Sequence, residues 1–269
     1  MPTFRRLTLA ASLSVVALGA CDNKTATPKQ ASPTATATTT TTAVAKTTGL
    51  AAAGNDQAVV TLAKAAIACK WTAAGLASNC AALKAWRISP LLKNGKADAT
   101  LLHMLEDNDK KVRWLSATAL KTVGRSHRND KAAATRLLDA LDKEKDPSVL
   151  GHLGAAVGRI DLAKTGLEAR VKKLIEKHPS KAVRQSIVRS VLSGNRTLMF
   201  DYLMKVARED KDGQMRKAAA AAFWTGTPPG KHEDACKLWL ELAKDGDHDL
   251  AGNSAYHCAF YPTAGGCVG

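Results

Sequence analysis

The sequence predicts an all-α protein, an α-solenoid of antiparallel helix pairs. Three observations carry this. Among its 269 residues Ala, Leu and Lys are the commonest while only 4% are aromatic, a balance that favours helix over sheet. Five similar segments recur, with apolar positions at Val112, Val149, Val183, Met215 and Leu250, separated by 37, 34, 32 and 35 residues. Around each lies apolar spacing of three and four, the period of a helix face.

The chain begins with a targeting signal. Arg5 and Arg6 precede an uncharged run from Leu7 to Ala20, too short to span about 30 Å of hydrocarbon. The basic, apolar and small-residue order marks residues 1–20 as a secretory signal peptide. The run ends Leu18-Gly19-Ala20-Cys21, which resembles a bacterial lipobox. That resemblance implies cleavage before Cys21 and lipidation of its thiol, so that acyl chains anchor the protein to a membrane without spanning it. The expected location is the bacterial cell envelope, facing the periplasm, with inner or outer membrane left open.

Residues 21–56 carry the lipidated Cys and a stalk. Eleven of the 27 residues from Asp22 to Thr48 are Thr, interspersed with Ala and two Pro. Such a stretch buries too little apolar surface to offset its ordering entropy, so a disordered spacer is expected. Residues 57–96 read as an N-terminal helical cap with Val59, Leu62, Ala66, Leu83 and Trp86 facing inward, interrupted by Pro90 and Gly95.

From 97 to 261 each unit is expected to be a helix pair. Asp109, Asp146, Ser180, Asp212 and Asp247 stand three residues before the recurring apolar position, where a side-chain oxygen caps a helix start. Counting from the apolar position, +4 is Ser116, Leu153, Ile187, Ala219 and Ser254, and +8 is Leu120, Val157, Val191, Phe223 and Cys258. A second stripe precedes each cap, for example Leu137, Leu138 and Leu141. Residues 262–269 form a short tail.

The segments Asp109-Lys-Lys-Val112-Arg113 and Asp212-Gly-Gln-Met215-Arg216 resemble the HEAT-repeat family, whose second helix often opens Asp-x-x-Val-Arg. Leu150, Ser180 and Ala251 depart from the pattern. The resemblance implies second helices lining a concave face and a role in binding partners, without a particular chemistry. It also implies that Arg113, Arg184 and Arg216 occupy a structural position, paired with cap carboxylates of neighbouring units.

Five cysteines beyond Cys21 belong in an oxidising compartment. Cys69 and Cys80 flank a turn at Gly75 and are expected to pair. Cys236 with Cys258, or Cys258 with Cys267, are the two alternatives at the other end. His232, Cys236, His257 and Cys258 match no compact zinc pattern, so no metal and no cofactor is expected.

Signatures of catalysis are missing: no Gly-x-Ser-x-Gly, no Gly-Lys-Ser/Thr loop and no His-Glu-x-x-His occurs. Gly151-His-Leu-Gly154-Ala-Ala-Val-Gly158 lies within a repeat helix, where close packing is the expected role. The protein is therefore read as a non-enzyme, with a HEAT-like lyase as the residual alternative. Charge is more informative. Of a formal +15, the leader carries Arg5 and Arg6 and the stalk one net positive charge, leaving about +12 on the helical part. Arg113, Lys121, Arg125, Arg184, Arg189, Arg216 and Lys217, with Trp114, Trp224 and Tyr256, lie on the second helices. Lys121, Arg189 and Lys217 are the preferred contact candidates. Trp114 and Trp224 stand between contact and core. The expected partner is another envelope protein, alternatively an anionic wall polymer or lipid head group. Export argues against nucleic acid.

Overall fold

The computed structural model describes residues 56–260 and Cys267; the expected signal peptide, Cys21 and nearly all of the expected stalk lie outside the described residues. These residues are all-α apart from one hairpin: thirteen α-helices, a 3₁₀ turn and two strands of two residues. No helix among them is long and apolar enough to cross a membrane.

The N-terminal part differs from the helical cap expected. Helix α1 (Gln57–Ile67) and α2 (Ala81–Ile88) are separated by an antiparallel hairpin, β1 (Trp71–Thr72) and β2 (Gly75–Leu76), with Trp71 opposite Leu76. Gly75 makes the turn at φ +110°, and a Cβ there would collide with the Trp114 ring; both constraints demand glycine. Cys69 and Cys80 join across the base of this hairpin, their Cα atoms 6.0 Å apart, and the 3₁₀ turn Pro90–Gly95 leads on.

The remaining helices are α3 (Asp98–Met104), α4 (Lys110–Thr122), α5 (Ser126–Asn129), α6 (Lys131–Lys143), α7 (Pro147–Val157), α8 (Leu162–Thr165), α9 (Glu168–Lys177), α10 (Lys181–Glu209), α11 (Gly213–Gly226), α12 (His232–Leu242) and α13 (His248–Phe260). Helix α4 packs on α7, α7 on α10, α10 on α11 and α11 on α13, while α3, α6, α9 and α12 each pack against the helix that follows. All five recurring apolar positions are buried, as are those at +4 and +8. Each fully buried Leu or Val contributes about 1.5–3 kcal/mol, so the repeat period is the period of the core.

Close approach explains the glycine-rich run in α7. A Cβ on Gly154 would stand 3.0 Å from the Val183 carbonyl oxygen, and one on Gly158 would stand 2.7 Å from Ser190 Cβ. Both glycines let α7 lie directly against α10.

Four of the five second helices start on the same two-layer turn. The carboxylates of Asp109, Asp146, Asp212 and Asp247 accept from the backbone N–H two residues on, at 2.8–3.0 Å. Two residues earlier, Asp107, Glu144, Asp210 and Asp245 accept from the N–H of the capping residue itself, at 2.7–2.9 Å. In the fifth unit His178 Nδ1 accepts from the Ser180 N–H at 3.1 Å, and the Ser180 side chain makes no cap bond.

Long-range polar ties complete the fold. Asp98, buried in α3, accepts from the backbone N–H groups of Arg125 and Ser126 and so starts α5. Helix α10 merges two expected helices across a kink at Asn195. The buried Asn195 amide donates to the Ile160 and Val191 carbonyls and accepts from the Leu162 N–H, so the kink residue caps α8.

Candidate functional site

Three helices assemble a concave site that holds two of the expected contact residues. Lys121 comes from the last turn of α4, Gly151, His152 and Ala155 from α7, and Ser186, Arg189 and Ser190 from α10; together they line a cavity of about 370 Å³. Its floor is open because residue 151 has no side chain: a Cβ there would find only Ser186 Oγ, at 4.0 Å. Lys121 is half-buried and Arg189 exposed.

The electrostatics are one-sided. Burial pushes the His152 imidazole down to about 4, and the nearby positive charges of Lys121 and Arg87 push in the same direction. The ring is therefore neutral at pH 7, and no carboxylate acts against these effects. Behind it the Trp114 ring meets His152 edge-on, with centroids 5.4 Å apart, and meets Trp71 at 6.1 Å on the other side.

Positive charge continues past the end of α4. Arg159 donates from Nη1 to the Lys121 carbonyl oxygen at 2.5 Å. Burial, Arg159 and Arg125 together lower the Arg128 pKa, against the single opposing charge of Asp98. Arg128 Nε is buried without a hydrogen-bond partner.

Lys121 and Arg189 thus meet in one groove, but Lys217 does not join them. It sits on α11, paired with Asp249 at 2.6 Å, and is not among the residues that line the cavity. Trp114 is 3% exposed and supports the groove from below rather than forming its surface. Trp224 is half-buried, stacked on Tyr256 at 6.2 Å and 5.0 Å from the His257 ring. Tyr256 and Phe260 extend that aromatic cluster onto the exposed surface of α13.

The recurring arginines are structural ties, though not to the caps themselves. Arg113 pairs with Glu144 and Arg216 with Asp245 at 3.1 Å, in each case the acid two residues before the cap of the next unit. Arg184 differs: its Nε is buried and unpartnered, and its charge helps hold the Asp212 carboxyl below its ordinary pKa.

The C-terminal cysteines follow neither expected alternative. Cys236 pairs with Cys267, with Cα atoms 5.1 Å apart, and Cys258 is a buried free thiol. Cys258 occupies the +8 core position on α13, so its side chain turns inward, while the tail returns to put the Cys267 N–H on the Cys258 carbonyl oxygen at 2.9 Å. The disulfide removes Cys236 from the zinc combination. Among the described residues no three His, Cys, Asp or Glu side chains converge as metal ligands.

Residue identity alone does not single out His152 among the seven histidines of the sequence. A signal was present. Lys121, His152 and Arg189 stand at +9, +3 and +6 from their repeat positions, which places them within about 120° of one another around their helices and away from the core positions.

No family model matches the chain, and no curated protein matches it in sequence.

Proposed function

We propose that the protein is a lipid-anchored component of the bacterial cell envelope whose helical part is a HEAT-like α-solenoid that binds or scaffolds another envelope protein. The observation that carries this reading is the succession α4, α7, α10, α11, α13, each packed on the next. It is the arrangement expected when one supersecondary unit repeats and each copy buries the face of its neighbour. Ion pairs between residues about one repeat apart accompany it, including Arg113–Glu144, Arg170–Asp139, Lys181–Asp212 and Arg208–Glu241. A row of helices offers a long contact surface, the Thr-rich stalk offers reach, and Cys21 offers attachment. The reading assigns no catalysis and no cofactor.

Two measurements test it. Metabolic labelling with a fatty acid marks the wild type and spares Cys21→Ser if the anchor exists; equal labelling, or none in the wild type, overturns the anchor. Capture from cross-linked envelopes, comparing wild type with Lys121→Glu plus Arg189→Glu, recovers a defined protein that the variant loses if the second helices carry the interface. Recovery of the same proteins by both refutes that surface.

A second reading is favoured by the groove between α4, α7 and α10. Its unopposed charge suits an anionic wall polymer or lipid head group. Strong salt dependence of binding distinguishes it from a mixed apolar protein interface.

A further inference from the structure

The groove at Lys121 and Arg189 has a chemistry definite enough to name its ligand. Its walls supply an ammonium from α4, a guanidinium from α10 and hydroxyl groups on Ser186 and Ser190. The Ser190 hydroxyl already donates to the Ser186 carbonyl at 2.8 Å. Ser186 Oγ points toward the open position above Gly151 and is committed to no hydrogen bond among the described residues. No carboxylate lines the cavity. Other cations on α4 and α10 are answered by acids, Lys110 by Asp146, Arg113 by Glu144 and Lys181 by Asp212.

The geometry points to a phosphate-binding subsite in this groove, in which Lys121 and Arg189 neutralise the two charges of one phosphate group while the Ser186 hydroxyl donates to a third oxygen. Guanidinium and ammonium donors with a neutral hydroxyl form the usual recognition set for a phosphate dianion, and the cavity of about 370 Å³ admits one such group with part of its substituent. Arg159, tied to the Lys121 carbonyl, together with Arg125 and Arg128, extends positive potential beyond one end of the groove and favours a ligand bearing further phosphates. The proposal rests on the second reading above and narrows it to a ligand chemistry and a place.

His152 acts as a built-in reporter. It is faced by Lys121 from α4 and Arg87 from α2, with Arg189 across the cavity on α10. A dianion seated among these groups offsets their repulsion of a proton, so the imidazole takes up a proton more readily when phosphate is bound.

The experiment titrates the full chain with sodium pyrophosphate at constant ionic strength, reading the His152 imidazole proton by NMR. Saturable binding, a His152 pKa raised by about one unit or more, and at least a tenfold weaker affinity in Lys121→Gln plus Arg189→Gln are expected. Lys211→Gln, changing a surface charge on the loop before α11, serves as the control for net charge. A response that does not saturate, or that the double variant and the control share equally, overturns the site. Ser186→Ala should weaken binding without moving the free-state pKa of His152; unchanged affinity removes Ser186 from the site.

Vesicles distinguish the sources. If phosphatidylglycerol vesicles bind the wild type, phosphatidylcholine vesicles do not, and the double variant loses binding, the phosphate belongs to a lipid head group. Pyrophosphate binding without vesicle binding keeps the subsite and assigns it to a soluble or polymeric phosphate. Vesicle binding that survives the double variant, with no pyrophosphate response, overturns the subsite while leaving the broader basic-face reading standing.

Discussion

The guanidinium of Arg113 holds both carboxylate oxygens of Glu144, Nε to Oε2 at 2.8 Å and Nη2 to Oε1 at 3.1 Å. Its Nη1 meanwhile donates to the carbonyls of Asp107 and Asn108. Glu144 in turn accepts from the backbone N–H groups of Lys145 and Asp146. One side chain therefore ties the turn before its own helix to the turn before the next.

Removing that tie should cost more than an exposed ion pair would. The Glu144 side chain is only 3% exposed, so Arg113→Ala leaves a buried carboxylate with backbone donors alone, a loss of about 2–3 kcal/mol. Arg216→Ala, whose partner Asp245 is more exposed, should cost about 1 kcal/mol. Denaturant unfolding of both variants gives the comparison, and equal losses would contradict the distinction.

The same pair predicts an acid response. Burial alone would raise the Glu144 pKa, but Arg113 and the two backbone N–H groups outweigh it and hold the carboxyl below its ordinary value. Its contribution is then present above the unfolded carboxylate range near pH 4 and is lost as pH falls through the lower folded value. Unfolding curves from pH 5 to 2 should be flatter in Arg113→Ala than in wild type.

His127 responds at a higher pH. It is fully buried, neither ring nitrogen has a partner, and burial pushes its pKa from 6.5 down to about 4. The folded state holds the neutral ring, so stability is full above about pH 6.5 and falls between there and pH 4, by a total on the order of 3 kcal/mol. His127→Leu should remove its share of this slope and leave the share of His152, which burial likewise lowers to about 4. A slope unchanged in the variant would place the acid sensitivity elsewhere.

Asn195 offers a local readout. Asn195→Leu leaves the Ile160 carbonyl and the Leu162 N–H buried without their partner, a cost of about 2–4 kcal/mol. Hydrogen exchange at the Leu162 amide should accelerate beyond the change at amides in α4. Uniform acceleration would show a global effect only.

The cysteines can be checked chemically. Non-reducing peptide mapping should recover Cys69 with Cys80 and Cys236 with Cys267, and Cys258 should react with iodoacetamide only after denaturation. Cys236→Ser should lower stability by about 2–4 kcal/mol. Native labelling of Cys258 at the rate of an exposed thiol would contradict its burial.

Much of the helical architecture was legible because it is local. A cap such as Asp109 acts two residues away, and Val112, Ser116 and Leu120 share a face through the pitch of a single helix. The acids at Asp107, Glu144, Asp210 and Asp245 stand at a constant offset from the caps, but only the structure shows that each accepts from the N–H of the capping residue. The merged helix α10 was read as two, since nothing in the residue order distinguishes a kink at Asn195 from a loop.

The sequence by itself determined the all-α class, the repeat period and the positions that turn inward, because periodicity and capping are set by bonds within a few residues. Only the tertiary structure decided what distant residues become to each other: that Asp98 starts α5 and Asn195 caps α8, that Cys236 takes Cys267 and leaves Cys258 buried, that Lys217 pairs with Asp249. It likewise brought Lys121, His152 and Arg189 to one cavity. Those outcomes depend on how the helices stack, and stacking is governed by the fit of whole faces, such as α7 against α10 at Gly154 and Gly158, which no single residue type announces.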